Sequence, residues 1–457
     1  MTLRLRTCSA LALVLLAWPR PERNLAAQAE PASPRDRLTL MMAVERALTV
    51  FPTVAAARAG YDAAQSTLGQ AKATWFPTLQ LSASATRFER PMAVTPIHGF
   101  TPGVLPSFDE TLIQGAATLS FTLFDGGARG ARIGAARQAV GAAQASVTGS
   151  EQDLIASVVR TYAQALAQRE TLAAHDERLR ALVTEHSRAA QFLAAGRGAE
   201  VAVLRADAAV AEATAVRVSL AAELDLSVRN LARLVGSPPD SIAPDVLSPV
   251  VLRESDLPSR AESHTLALGA SPAVERARRT VAAARAGVGV AKGARWPALA
   301  LVGRYIDRGS SQGDFTGEWD AGVQLSYPIF TGGAISNHVS EAKARLAGTS
   351  EELRLAELDA AERVDRAWSA VEETRARVAS LVTAVVGFRE VARVEKLRLD
   401  TGTGIQTDYL AAEADLLNAR ANLAGARYGL LTARATFALA TGQLSPAWLA
   451  ANLEIEP

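Results

Sequence analysis

Two periodicities alternate along this chain, and each occurs twice. Short stretches alternate apolar and polar residues with the period of two expected of a strand carrying one apolar face. In the first pair Leu79, Leu81, Ala83 and Ala85 are interleaved with Gln80, Ser82, Ser84 and Thr86, and Leu119, Phe121 and Leu123 with Ser120 and Thr122. A second pair follows at Leu299, Leu301, Gly303 and Tyr305, then at Trp319, Ala321, Val323, Leu325, Tyr327 and Ile329, which alternate with Asp320, Gln324 and Ser326. Behind each pair runs a long proline-free stretch, about 127–195 and 335–400, with Ala, Leu and Val in apolar stripes and Arg and Glu between them. A helix of about 69 residues reaches roughly 100 Å. Each ends at a Gly turn and returns as a shorter helix, 200–234 and 406–439, so two antiparallel hairpins are expected.

The repetition is a tandem duplication. Leu119–Ala128 matches Leu325–Ala334 at an offset of 206. The same offset relates Gly196-Arg197-Gly198 to Gly402-Thr403-Gly404 and Leu231–Gly236 to Phe437–Gly442. Upstream, Ala71, Lys72 and Pro77 match Ala291, Lys292 and Pro297 at an offset of 220, so the first copy carries 14 extra residues (220 minus 206). They fall in the Pro/Gly-rich segment Pro91–Ser107, an enlarged loop. The expected fold class is mostly α with a small β part, with long antiparallel helical hairpins and four strands per chain. Its parts are a signal peptide at 1–29, a first repeat at 30–236, a linker or equatorial segment at 237–263, a second repeat at 264–442 and a C-terminal tail at 443–457.

The strands fit two settings. They could form a sheet packed on a soluble core, or they could span a membrane. Their 9–12 residues and the aromatic residues near their ends (Trp75, Phe76, Phe124, Trp296, Trp319, Tyr327, Phe330) suit the second setting, in which such residues form an interfacial girdle. Four strands cannot close a barrel, because the smallest membrane barrels need about eight, and an open edge in lipid leaves backbone groups unpaired. The strands must then be shared among copies, and three copies supply twelve. In that arrangement the loops Pro91–Ser107 and Gly309–Gly317 face outside the cell, opposite the helical ends.

Composition agrees with a helical protein of this kind: 49% of residues are hydrophobic and only 5% aromatic. Basic and acidic residues nearly cancel, 48 against 47, and no basic block stands out, which excludes a nucleic-acid footprint. Arg4 and Arg6, the apolar run Cys8–Trp18 and the small-residue site Ala27-Gln28-Ala29 read as a secretory signal. Cys8, the only cysteine, stands at the start of the apolar run and not after it, so neither a disulfide nor a lipidated cysteine of the mature chain is expected. Beyond residue 29 no apolar run reaches the 18 residues of a spanning helix, so membrane entry requires a barrel.

With these features the chain resembles the TolC-like outer-membrane efflux family over about residues 36–442. The resemblance is carried by the strand-to-helix turns Phe124-Asp125-Gly126-Gly127 and Phe330-Thr331-Gly332-Gly333. It is carried too by the hairpin tip from Gly402 through Asp408, Leu410 and Ala412 to Asn418, Arg420, Ala426 and Tyr428. It implies a homotrimer in the outer membrane, with a twelve-stranded β-barrel above a periplasmic tunnel of helices. It also implies a periplasmic adaptor on the tips Gly196, Arg197, Gly198, Gly402, Thr403 and Gly404, and an inner-membrane pump of RND, ABC or MFS type. The family's periplasmic gate is lined by acidic residues; Asp408 matches the first acidic position, while the second is Ala411. Asp408 is also readable as an ordinary first-turn acid favoured by the helix dipole, and Arg197 as a solvated turn residue.

No catalytic, cofactor or metal site is expected. His98, His175, His186, His264 and His338 are scattered, and the glycine pairs lack the Lys and spacing of a phosphate loop. Met41, Met42 and Met92 are the methionines left after the signal, too few for a soft-metal path. Two alternatives come from other classes, a periplasmic adaptor and an exported coiled-coil structural protein. An adaptor would carry one hairpin nested in β-rich domains, not two full copies of strand pair and hairpin.

Overall fold

A computed structural model describes residues 37–94, 103, 108–253, 255–313 and 315–455; the expected signal segment, His98 and Ser107 lie outside them. Each copy opens with a helix interrupted by proline. In copy one α1 (Leu40–Val50) stops at Phe51 and α2 (Pro52–Ala73) leaves at 46° to it; in copy two α5 (Arg260–Ala270) stops at Ser271 before α6 (Pro272–Gly293). The cause is local. Proline clashes with a helical residue before it, and both Phe51 (ψ 129°) and Ser271 (ψ 122°) are extended.

Three of the strands are longer than the alternation indicates, and the fourth starts earlier and stops at Ser326, leaving Tyr327 and Ile329 beyond its end. β1 (Thr78–Ala93) and β2 (Phe108–Phe124) have 16 and 17 residues, β4 (Ala298–Ser310) and β5 (Phe315–Ser326) 13 and 12. β1 continues through Pro91 by slipping register between Arg87 and Met92, so the outer loops begin later than the sequence indicates. Alternation breaks at Arg87-Phe88-Glu89-Arg90, where charged side chains occupy both faces, and that hid the extension. All pairings are antiparallel in the order β1-β2-β4-β5, so β2 and β4 join the two copies.

Register sorts the sheet's faces. Leu79, Leu119, Gly303 and Ala321 lie across one row, and Leu81, Ala117, Tyr305 and Trp319 across the next on the same face. On the other face Gln80, Thr118, Arg304 and Asp320 form a row in which Arg304 and Asp320 pair at 2.9 Å. Leu81 and Trp319 are each 77% exposed in the single chain, an apolar band that water would not tolerate but lipid would.

Below the sheet, α3 (Ala128–Ala194) and α7 (Ala334–Asp400) each run 67 residues, about 100 Å. They return as α4 (Glu200–Leu234) and α8 (Gln406–Ala440). The helix α3 packs on α2 and α4 of its own copy and on α6 and α8 of the other, whereas the main partners of α7 (α5, α6 and α8) all belong to its own copy.

The largest core lies midway along the rods, where α1, α3, α4 and α8 meet the C-terminal segment. Tyr162, fully buried on α3, places its hydroxyl 2.7 Å from the Leu38 carbonyl and 2.8 Å from that of Ser248. The segment 237–263 is more than a connection: it holds a short helical turn at Pro244–Val246 and β3 (Val250–Leu252). The tail folds as α9 (Pro446–Asn452) and β6 (Leu453–Ile455), the latter pairing antiparallel with β3. Together these make a collar around the middle of the rods.

Candidate functional site

Two places in each copy carry the residues singled out from the sequence, the strand-to-helix junction and the hairpin tip. At the junctions Gly126 and Gly127 have φ of +65° and +81°, Gly332 and Gly333 of +59° and +87°. Two consecutive left-handed residues turn a strand sharply into a helix, which only glycine does without strain. The two junctions differ in their surroundings. A Cβ at Gly126 would lie 2.4 Å from the Gly293 carbonyl oxygen and 2.8 Å from Trp296 Cβ at the end of α6, while one at Gly332 would meet nothing.

Arg129 fastens the first junction. Its side chain is 6% exposed, donates to the carbonyls of Thr74 (3.3 Å) and Leu123 (3.2 Å), stacks 4.3 Å over Trp75 and pairs with Asp125 at 3.5 Å. It thus holds the end of α2, the end of β2 and the start of α3. Asp125 also caps the helix start by accepting from the Arg129 amide at 2.8 Å. The equivalents in copy two are Ile335 and Thr331.

The tips are one device made twice, and each glycine in Gly-x-Gly has its own reason. Gly196 (φ +68°) and Gly402 (φ +77°) end their helices in the left-handed conformation. The following amides, Arg197 to Phe192 and Thr403 to Arg398, close back on the last turn at 2.9 Å each. Gly198 and Gly404 are needed for room. A Cβ at Gly198 would lie 2.9 Å from the Leu193 nitrogen, and one at Gly404 2.8 Å from Arg398 Cβ.

Asp408 sits exposed in the first turn of α8, three residues into the return helix. Arg197 is exposed as well, with its guanidinium 5.9 Å above the Phe192 ring. His175 and His186 share α3 but lie eleven residues apart; burial and the neighbouring Arg178 hold His175 below the ordinary histidine range. His264 pairs with Asp365 at 3.0 Å, and His338 with Glu341 at 3.4 Å. Among the described residues no cluster of His, Cys, Asp or Glu could hold a metal ion.

A polar network behind the tips was not foreseen. The carboxylate of Glu185 on α3 is 4% exposed and is gripped by Arg188 through two contacts of 2.7 and 2.8 Å. Gln406 of α8 donates to it at 2.8 Å and also reaches the Ala202 carbonyl on α4 at 3.2 Å. Nearby Tyr409 is buried, and its phenol is pushed well above the ordinary range by desolvation, then by Glu413, Glu185 and Asp400. Three helices from both copies are tied together here. The visible signal was a charged residue in the apolar stripe of α3, but only tertiary structure shows that its partner lies 221 residues away.

Known proteins share this architecture. The outer membrane efflux protein family matches residues 43–237 and 265–443, one segment on each copy. Protein CyaE of Bordetella pertussis is 27% identical over 406 residues, 88% of this chain and 81% of that protein. Outer membrane efflux protein BepC of Brucella suis is 24% identical over 361 residues, covering 77% of each. The solved structure of the outer membrane protein VceC from Vibrio cholerae superposes with a TM-score of 0.73 at 22% identity, over 88% of this chain and 96% of that one, which shows the fold. With both repeats matched over most of its length, the chain belongs to the outer membrane efflux protein family.

Proposed function

We propose that this outer-membrane channel subunit is one third of a passive duct, a homotrimer that takes cargo from an inner-membrane pump through a periplasmic adaptor seated on the hairpin tips. Channels of the family are trimeric and work with adaptor and pump partners. An RND, ABC or MFS pump supplies the energy, and the duct supplies a continuous path across periplasm and outer membrane.

The observation that carries the reading is the seam between the two copies inside one chain. There α3 packs on α6 and α8, and β2 pairs with β4. At the outer margins the same surfaces lie bare. Leu358, Phe388 and Val391 on α7 are 62%, 38% and 49% exposed, yet their equivalents on α3 (Gln152, Leu182 and Glu185) are 6%, 1% and 4% exposed. Val218 on α4 is 62% exposed where Ala424 on α8 is 5%. A further copy, set as copy two is set on copy one, covers these faces and pairs β5 with the neighbour's β1. Closing the ring removes both sheet edges from lipid.

Asp408 then lies near the narrow end, where three carboxylates repel one another and attract cations. Asp408→Asn is expected to weaken block by magnesium about tenfold, roughly 1.4 kcal/mol, with unchanged trimer yield. Single-channel recordings over a magnesium titration measure this, and an unchanged block returns Asp408 to a first-turn acid. Topology has its own test. A cysteine at Gln312, in the exposed turn between β4 and β5, should react with an impermeant maleimide on intact cells, while one at Arg197 should not. The reverse pattern inverts the duct.

A further inference from the structure

We propose that each chain carries a site for a small amphiphilic anion, a carboxylate or sulfonate on an apolar body, in a cavity of about 390 Å³ at the start of α6. Four helices of the same chain wall it, α3, α6, α7 and α8, so the site belongs to the subunit and stands apart from the trimeric duct. The cavity follows from the break at Pro272. Proline holds Ser271 extended, so α5 stops there and α6 sets off anew. The walls around the break are small. Gly149 on α3 carries no side chain, and a Cβ there would come 3.5 Å from Pro272 Cβ. Ala370 on α7 and Leu439 and Ala440 on α8 supply apolar surface. Such a volume takes a body of about ten carbon atoms.

Donors without protein partners line this apolar space. Ser271 is 7% exposed; its amide and carbonyl are spent on Ala267 and Glu275, and its hydroxyl has no partner among the described residues. The Ala273 amide, in the first turn of α6, has no acceptor within its own helix, and no side chain caps that helix. Arg363 and Arg366 of α7 are exposed on the same lining. Arg366 pairs with Glu362, whereas Arg363 spends only Nε, on the Asp359 carbonyl, and keeps its two terminal nitrogens free among the described residues. An uncapped helix start beside a guanidinium favours a negative group, and the apolar wall favours a carbon body attached to it. Asp153, also on the lining, comes from α3, so the negative group belongs on the α7 side.

Folding alone does not ask for these residues. At the corresponding break of copy one Pro52 is kept, but Phe51 stands in place of Ser271 and packs on the mid-rod core, and Ser157 stands in place of Arg363. The same backbone turn is thus made there without the buried hydroxyl and without the free guanidinium.

Equilibrium dialysis of the purified protein in a neutral maltoside detergent tests this, with naphthalenesulfonate as the probe and empty micelles as the blank. Uptake should saturate at about one probe per chain. Replacing both arginines, Arg363→Gln with Arg366→Gln, should weaken it about tenfold, and neutral naphthalenemethanol should bind the unaltered protein about tenfold more weakly than the sulfonate does. Ala370→Trp, which fills the cavity, should abolish uptake at unchanged helix content, while Arg233→Gln, at the break of copy one, should leave it as it was. Uptake no greater than that of empty micelles, equal affinity in the double-glutamine protein, or naphthalenemethanol or naphthylmethylammonium bound as tightly as the sulfonate overturns the proposal. An equal loss in Arg233→Gln protein does so too, because it places the probe elsewhere.

Discussion

Arg129→Ala should destabilise the chain by about 3 kcal/mol, the lower end of the cost of breaking a buried ion pair by removing one partner. The guanidinium is enclosed by Trp75, Asp125 and two backbone carbonyls, and its loss leaves Asp125 and the carbonyls of Thr74 and Leu123 short of a donor. Those carbonyls end α2 and β2, so the loosened part is the hinge where barrel meets rod. The same truncation in copy two, Ile335→Ala, removes only half-buried apolar surface and should cost about 1 kcal/mol. The temperature at which heated trimers dissociate on gels should therefore fall clearly for Arg129→Ala and little for Ile335→Ala. Equal falls would mean that Arg129 acts through its hydrocarbon stem alone.

This asymmetry between copies also marks what the sequence could reveal. Periodicity located both hairpins to within a residue or two, because a 67-residue helix without proline has few alternatives and a Gly turn ends it sharply. Alternation found all four barrel strands but not their full length, since β1 crosses the outer end with Arg87, Glu89 and Arg90 in place of alternating residues. The collar was illegible for another reason. β3 and β6 have three residues each, too short for any period to register, and their nearest partners, Leu252 and Leu453, are 201 residues apart (453 minus 252). At the tips the paired glycines were plain from duplication, and the structure adds that Gly196 is needed for its angle and Gly198 for its space. The Glu185 network depends on contacts between copies, which no local pattern encodes.

Duplication nonetheless makes the unseen neighbours legible, because the seam inside one chain is the template for the seam between chains. On α6, a Cβ at Gly289 would lie 3.1 Å from Ala131 Cβ, so glycine is what lets α6 approach α3. The equivalent on α2 is Gly69, where a side chain would meet nothing within 4 Å in the single chain. Gly60, on the same helix, is equally open, but its equivalent Thr280 is exposed even though α6 has both its neighbours. In an isolated chain, then, the two glycines are alike; in the closed ring Gly69 faces the neighbour's α7 and Gly60 faces solvent. Overpacking costs about 1–3 kcal/mol per site, and three seams multiply it to roughly 3–9 kcal/mol per trimer. The decisive measurement compares trimer yield from Gly69→Leu and Gly60→Leu protein purified in mild detergent, with helix content as the check on folding. The closed ring requires Gly69→Leu to lose trimer about a hundredfold while Gly60→Leu assembles normally, both keeping full helicity. Equal trimer yield from the two variants would contradict it.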